Sequence, residues 1–126
     1  MPDKPGLVLF AHGSRDPRWA EPFERLRDKL SARRPDADVQ LAFLELMTPN
    51  LGDAVATMTS QGTFDITLVP VFLGQGGHVR RDLPALADAC RAAHPQLDLR
   101  VSAAIGEDDT VLDALADYCG RMMDGG

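Results

Sequence analysis

The sequence predicts an α/β fold: a single flavodoxin-like domain with a four-stranded parallel sheet and helices on both faces. Four short apolar runs alternate along the 126 residues with four longer segments whose apolar residues recur at helical spacing. The first run is continuously apolar, which is typical of a strand that is buried on both faces of a parallel sheet, and the third run is largely apolar and β-branched. We expect one domain over residues 1–126 and the strand order 2-1-3-4.

The first half of the chain contains two strand–helix pairs. Residues 7–11 form the first predicted strand, and a helix follows from about residue 17 to about residue 33. The helix is predicted from the spacing of Trp19, Phe23, Leu26 and Leu30. Residues 39–44 form the second strand. The pair Thr48 and Pro49 then predicts a cap for the second helix, with proline in its first turn.

The second half repeats the alternation. Residues 65–72 form the third strand, and Pro70 is expected near its carboxyl end because proline cannot donate a hydrogen bond to the sheet. Residues 97–104 form the fourth strand, and acidic residues 107–109 suit the start of the last helix. Helices three and four are predicted from two apolar faces: Leu83, Leu86, Ala87 and Cys90, and then Val111, Leu115, Cys119 and Met122.

Composition and charge exclude several classes of function. The net charge of −6 argues against nonspecific nucleic-acid binding. No apolar run approaches the roughly 20 residues that a membrane-spanning helix needs. The N-terminus has no signal-peptide pattern, and Cys90 and Cys119 form no CxxC pair. We therefore expect a cytoplasmic protein with both thiols reduced and buried.

Chemistry-bearing side chains follow three of the predicted strands. His12 follows the first strand, Glu45 ends the second, and His78 follows the third after a glycine-rich loop. Ligands of open parallel sheets bind beyond the carboxyl ends of the strands, so these three residues should share one rim. Imidazole and carboxylate suit cobalt, nickel, iron or zinc, and three ligands leave coordination positions open. The same groups could also act as bases.

Residues near the two histidines could contact an anionic ligand. Arg15, Arg80 and Arg81 could pair with ligand carboxylates through their fork geometry, or they could be solvated surface charges. The glycines of the loop after the third strand either let the backbone approach a ligand or supply positive φ angles. These glycines are Gly74, Gly76 and Gly77. Their G-x-G-G pattern follows the third strand, so it is not the dinucleotide-binding motif.

Three motifs in order resemble the sirohydrochlorin chelatase family, the class II tetrapyrrole chelatases. They are AHGSRDP at 11–17, FLELMTPNL at 43–51, and VPVFLGQGGH at 69–78 with Asp82 and Pro84 beyond it. The resemblance extends from about residue 6 to about residue 122. Within the family, the chain is similar to the short, CbiX form of the sirohydrochlorin cobaltochelatases. It implies a lyase-type enzyme of cobalamin and tetrapyrrole biosynthesis that inserts a divalent metal into the macrocycle without ATP.

The resemblance also implies roles for individual residues. His12 and His78 match the family's metal-binding and proton-abstracting histidines, and Glu45 matches the accompanying acidic residue. Ser14, Arg15, Gly76, Gly77, Arg80 and Arg81 become candidate contacts to the carboxylate-rich substrate. Co²⁺ is the expected metal, as a substrate with no organic cofactor, although the family also includes iron and nickel inserters. This chain matches one half of a two-domain class II chelatase, which implies a homodimer.

Three other interpretations remain open at the level of sequence. A histidine phosphatase-like enzyme would need an arginine immediately before its histidine, and this chain has Ala11 there. A protein that binds or carries metal or tetrapyrrole without turnover would share most of the ligands. A purely structural flavodoxin-like domain would make the placement of the two histidines and the glutamate accidental. Turnover separates the carrier from a chelatase.

Overall fold

The structure is a computed structural model that describes residues 4–74 and 76–125, and it describes His78 in its backbone only. The described residues form a four-stranded sheet and four helices. The strands are β1 (Pro5–Ala11), β2 (Asp38–Phe43), β3 (Asp65–Pro70) and β4 (Asp98–Val101). The helices are α1 (Glu21–Arg33), α2 (Leu51–Ser60), α3 (Gly77–Ala93) and α4 (Asp109–Met123). Short 3₁₀ turns, Pro17–Ala20 and Ile105–Glu107, precede α1 and α4.

The sheet has the predicted strand order, β2-β1-β3-β4, and all its neighbouring strands are parallel. In the register of the sheet, Ala11 lies beside Phe43 and Phe10 lies beside Pro70. The predicted site residues follow β1, β2 and β3, and the carboxyl ends of these three strands therefore meet at one rim. This arrangement confirms the expectation on which the predicted site depends.

Each face of the sheet has its own apolar core. On one face, α2 and α3 cover Val8, Phe10 and Leu68, which are almost completely buried. On the opposite face, Trp19 of the first 3₁₀ turn and Phe23 of α1 pack against the alternate residues of β1 and β2. Helices therefore lie on both faces, as the continuous apolar run of β1 predicts.

Several predicted boundaries are wrong by a few residues. β3 ends at Pro70, where the sheet's hydrogen bonding runs out, rather than at residue 72. β4 is also shorter than predicted. The cap of α2 is Asn50, whose side chain accepts a hydrogen bond of 2.8 Å from the Asp53 N–H. Pro49 precedes the helix, so the predicted cap at Thr48 is replaced by a better side-chain acceptor two residues later.

The last helix differs from the expectation of a helix packed on the core. None of the residues of α4 is buried. Cys90 in α3 is buried as predicted, but Cys119 in α4 is exposed, and both thiols are free. Amphipathic spacing predicts that a helix has an apolar side, but it does not say which surface covers that side. In the described part of the chain, no helix is both long and apolar enough to cross a membrane.

Candidate functional site

His12 and Glu45 are neighbours at the rim because the pairing of β1 and β2 continues past the ends of both strands. The Leu44 N–H donates to the Ala11 carbonyl at 2.9 Å, and the Glu45 N–H donates to the His12 carbonyl at 3.0 Å. His12 is half-buried, whereas Glu45 is exposed. The sheet itself therefore brings together two of the three predicted site residues, at the level of their backbones.

Gly13 allows this close approach. Its φ angle is 100°, and a Cβ at this position would lie 1.7 Å from the Glu45 carbonyl oxygen. That oxygen belongs to the backbone, so it cannot move without displacing the Glu45 segment. The left-handed backbone conformation also disfavours any residue with a side chain. Glycine after His12 is thus required by the geometry of the site.

Glu45 begins a tight turn around Leu46. The Met47 N–H donates to the Glu45 carbonyl at 2.8 Å, and Leu46 has a φ angle of 67°. Among described residues other than glycine, Leu46 alone has positive φ, and its side chain is 57% exposed. Left-handed backbone at a leucine is unfavourable and is found where the surroundings impose it, often at functional sites. A backbone conformation that leucine disfavours therefore follows Glu45 directly.

The imidazole of His12 packs against Phe72. The two ring centroids are 4.8 Å apart with an interplanar angle of 49°, and Phe72 is itself buried against Phe10. Phe72 follows β3, so a side chain from the third strand end supports the histidine from the first. This contact limits the orientations that the imidazole can adopt.

The first turns of α3 lie beside the Glu45 segment. A groove of about 350 Å³ is lined by Leu44 and Glu45 on one side and by Asp82, Ala85 and Leu86 of α3 on the other. His78 is the second residue of α3, and it precedes Asp82 by one helical turn, about 6 Å along the axis. The backbone therefore carries residue 78 to the same end of the sheet, while its side chain lies outside the described part of the structure.

The glycines of the loop after β3 do not have positive φ angles, which was one of the two interpretations of these residues. Gly74, Gly76 and Gly77 are absent from the positive-φ glycines of the described chain. A Cβ at any of these three positions would meet no atom within 4 Å. Gly76 caps α3 and Gly77 begins it. The helix start is thus open to a ligand, and close backbone approach remains the interpretation of these glycines.

The candidate arginines differ in their surroundings. Arg15 is exposed on the loop after His12, where Ser14 Oγ accepts a hydrogen bond from the Asp16 N–H at 3.1 Å. Arg81 Nε donates to the Gly77 carbonyl at 3.4 Å, so this side chain folds back along its own helix. Arg80 lines a different cavity, of about 450 Å³, between α3 and the chain after β4.

Arg18, close to His12 in sequence, is engaged elsewhere. Its guanidinium donates to the Asp16 carboxylate at 3.0 Å and 3.2 Å. Hydrogen bonds from the Arg18 side chain and backbone hold the pKa of the Asp16 carboxyl below its ordinary value. This pair caps the 3₁₀ turn before α1, which leaves Arg15 as the cation of that loop with no ion-pair partner among the described side chains.

The arrangement can bind a metal ion or accept protons at one edge of a shallow surface. Among the side chains that the structure describes, no three His, Cys, Asp or Glu residues come close enough to hold a metal ion together. His78, the third predicted ligand, is outside that set, so its part in a metal site stays a prediction. His12 and Glu45 are adjacent through their backbones, and their imidazole and carboxylate are ligand types that divalent transition metals accept.

Sequence reasoning gave no site role to three residues that shape this site: Phe72, Leu46 and Asp82. Phe72 is the last residue of the predicted third strand, and no sequence signal marks a ring that supports a histidine. Leu46 carries no signal either, because leucine rarely has positive φ. Asp82 could have been found, because it stands four residues after His78 in a predicted helix, which places the two positions one turn apart.

The chain matches known proteins over nearly its whole length. A family model for CbiX matches residues 6–121. A sirohydrochlorin cobaltochelatase from Methanosarcina barkeri is 33% identical over 86 residues, which cover 68% of this chain and 66% of the relative. A sirohydrochlorin cobaltochelatase from Priestia megaterium is 30% identical over 113 residues, which cover 86% of this chain and 35% of that relative. The chain thus spans less than two thirds of the length of these curated relatives.

Two solved structures share the fold. A cobalamin (vitamin B12) biosynthesis CbiX protein from Marinobacter aquaeolei superposes with a TM-score of 0.85 at 32% identity, covering 97% of this chain and 99% of that one. The sirohydrochlorin chelatase SirB from Bacillus subtilis, in complex with cobalt, superposes with a TM-score of 0.74 at 26% identity. That match covers 96% of this chain and 50% of SirB. With its rim of strand ends and the match over residues 6–121, this chain belongs to the CbiX family.

Proposed function

We propose that this chain is a metal chelatase that inserts a divalent metal ion, Co²⁺, into sirohydrochlorin without ATP. The observation that carries the proposal is the pairing of His12 and Glu45 across the ends of β1 and β2, on an open rim. The names of the relatives, sirohydrochlorin cobaltochelatase and sirohydrochlorin chelatase, support the choice of macrocycle and metal. Iron or nickel insertion is the same chemistry with a different ion.

The reaction explains why these residue types stand at the rim. Insertion exchanges the metal dication for both pyrrole N–H protons of the macrocycle, so the site must supply an ion and accept protons. Imidazole can do either near neutral pH, and a carboxylate can do the same. The packing of Phe72 against His12 holds the imidazole in a limited set of orientations. We assign His12 as principal base and metal ligand, Glu45 as its assistant and His78 as second ligand.

The substrate's carboxylates need local cations, because the whole chain has a net charge of −6. Arg15 is the best placed of the candidate arginines, since it follows the His12 loop, is exposed and has no ion-pair partner among the described side chains. Gly76 and Gly77 leave space at the start of α3, where N–H groups can meet an anion. Arg80 lies in the neighbouring cavity and would reach only a peripheral carboxylate.

We further propose that the active unit contains two copies of this domain. The shallow rim of one copy covers only one side of a flat macrocycle, so a second copy would complete the cleft. The match to half of SirB supports this proposal, because that chain has room for a second domain of similar size. The two-copy unit is a cytoplasmic homodimer in this proposal.

Insertion is tested by following the absorption spectrum of sirohydrochlorin with Co²⁺ under anaerobic conditions, and separately with Fe²⁺ and Ni²⁺. We expect the wild-type protein to exceed the uncatalysed rate at the same metal concentration. His12→Ala, His78→Ala and Glu45→Gln should each lower the catalysed rate by about 10²-fold or more, as loss of a general base commonly does.

His94→Ala is the matched control. This histidine caps the far end of α3, before β4, where its Nδ1 lies 3.5 Å from the Thr59 hydroxyl. Its removal should leave the rate unchanged. Insertion that survives the loss of both His12 and His78 would remove them from the mechanism. A folded wild-type protein that binds the macrocycle but never exceeds the uncatalysed rate would be a carrier rather than a chelatase.

A further inference from the structure

Outside α4, the exposed large apolar side chains gather at the carboxyl end of the sheet. In the described part of the chain they are Leu46, Leu73, Leu86 and Val101. Leu46 and Leu73 lie just past the ends of β2 and β3. Val101 is the last residue of β4, and Leu86 lines the groove beside Glu45. The end of the sheet that carries the predicted site therefore also carries this uncovered apolar surface.

Leu46 and Leu73 lie on the two sides of His12. The Glu45 N–H donates to the His12 carbonyl, and Leu46 is the next residue. The Phe72 ring packs on His12, and Leu73 is the next residue. Because β1 lies between β2 and β3, His12 lies between the two leucines, which are two strand spacings or roughly 10 Å apart. This separation is comparable with the width of a tetrapyrrole ring.

Leu46 keeps a backbone that leucine disfavours. Its φ angle is 67°, a conformation that asparagine and glycine adopt far more readily. Its side chain is 57% exposed, so burial within the domain gives little compensation for this backbone. A ligand that covers the side chain would supply the missing reason for a leucine at this position.

Leu73 is also presented on a fixed backbone. The Gly106 N–H donates to the Phe72 carbonyl at 2.9 Å, and a Cβ at Gly106 would collide with the Leu73 carbonyl. The chain after β4 therefore packs directly on the Leu73 backbone, while the Leu73 side chain is 63% exposed. An apolar side chain on a backbone that is already ordered loses little conformational entropy when it binds a ligand.

We infer that Leu46 and Leu73 bind the apolar face of the tetrapyrrole macrocycle and position its ring at His12. A tetrapyrrole such as sirohydrochlorin is a flat conjugated ring with carboxylates at its edge, so it needs apolar contacts for the ring and cations for the edge. The rim offers both, since the exposed Arg15 lies on the loop after His12. The inference deepens the proposed function and rests on it, because it names side chains that bind the substrate of that reaction.

The first test is binding of sirohydrochlorin without metal, by anaerobic titration of its absorption spectrum. Leu46→Asn and Leu73→Asn should each raise the Kd about tenfold, as the loss of one half-exposed leucine from an apolar contact predicts. Leu46→Met and Leu73→Met keep an apolar side chain of similar volume, so their Kd values should stay within about twofold of the wild type.

The stability of Leu46→Asn separates a binding role from a structural one. Asparagine tolerates left-handed backbone, so the melting temperature of this variant should equal or exceed that of the wild type while its affinity falls. In Co²⁺ insertion, the Asn variants should raise KM about tenfold and leave kcat within about twofold, because the contact is made equally in the ground state and the transition state.

Met123→Asn is the matched control for the loss of an exposed apolar side chain. Met123 is 88% exposed and ends α4, about 21 Å along the helix axis from its start. Its substitution should leave the Kd for sirohydrochlorin unchanged. An equal loss of affinity in Met123→Asn would overturn the inference, because the effect would then not belong to the rim.

Wild-type affinity in both Leu46→Asn and Leu73→Asn overturns the inference and leaves the proposed chelatase intact, provided that the wild type still inserts metal. A loss of affinity in the Met variants as large as in the Asn variants also overturns it. If Leu46→Asn does not fold, the Leu73 pair decides. A wild-type protein that does not bind the macrocycle overturns both the inference and the proposed function.

Discussion

At the scale of single residues, Gly13 determines how closely the two proposed catalytic segments approach. Gly13→Ala places a methyl group against the Glu45 carbonyl oxygen and forces a side chain into left-handed backbone. The conformation alone costs about 1–2 kcal/mol, and the collision with backbone adds to it. We expect the variant to lose at least about 1 kcal/mol in the free energy of unfolding, measured by urea denaturation.

Gly74→Ala is the comparison for this prediction. A methyl group at Gly74 meets nothing within 4 Å, and its φ angle is not positive. Its free energy of unfolding should stay within about 0.5 kcal/mol of the wild type or rise slightly. Equal effects of the two substitutions would show that the close approach at Glu45 does not limit stability.

The sequence was sufficient to predict that His12 and Glu45 lie together, because both follow apolar strands whose pairing could be inferred. It was insufficient for Phe72 and Leu46. The contact of Phe72 with His12 depends on where β3 ends, and that end is set by a missing hydrogen-bond donor at Pro70. The backbone of Leu46 depends on tertiary context, which overrides what leucine prefers alone.

At the scale of elements, α2 shows how a helix end positions the site. The Asn50 side chain caps the helix, and the Phe43 N–H donates to the Pro49 carbonyl at 2.9 Å, so the loop that contains Glu45 is closed by these contacts. Asn50→Ala should lower the free energy of unfolding by about 1 kcal/mol through loss of the cap. Thermal or chemical denaturation measures this loss.

Thr57→Ala, on the exposed side of the same helix, is the control for the cap. Alanine favours helix over threonine, so this variant should be as stable as the wild type or slightly more so. A loss in Thr57→Ala equal to that in Asn50→Ala would mean that the helix is sensitive to substitution in general and that the cap has no special part.

Elements were predicted best where their apolar pattern is regular. β1 is recognisable because residues 7–11 are all apolar, and α3 because its core-facing side recurs at helical spacing. α4 was predicted as a helix with the correct apolar side, but the environment of that side was wrong. Periodicity reports that a surface will be covered, whereas the identity of the covering surface lies outside the local sequence.

At the scale of the whole molecule, the proposed two-copy unit makes stability depend on protein concentration. Association of folded chains lowers the free energy of the folded state by mass action. The melting temperature of the wild type should therefore rise with protein concentration, by differential scanning calorimetry. A melting temperature of the wild type that is independent of protein concentration would contradict the prediction.

The contrast among the glycines at the rim has a practical consequence for altering metal or macrocycle preference by directed evolution. Gly13 and Gly106 are each held against a neighbouring carbonyl, so random mutagenesis there will yield mostly misfolded clones. Gly74, Gly76 and Gly77 face empty space on the same rim. A library that randomises these three codons and keeps the first two fixed would sample new side chains around the substrate while retaining a folded parent.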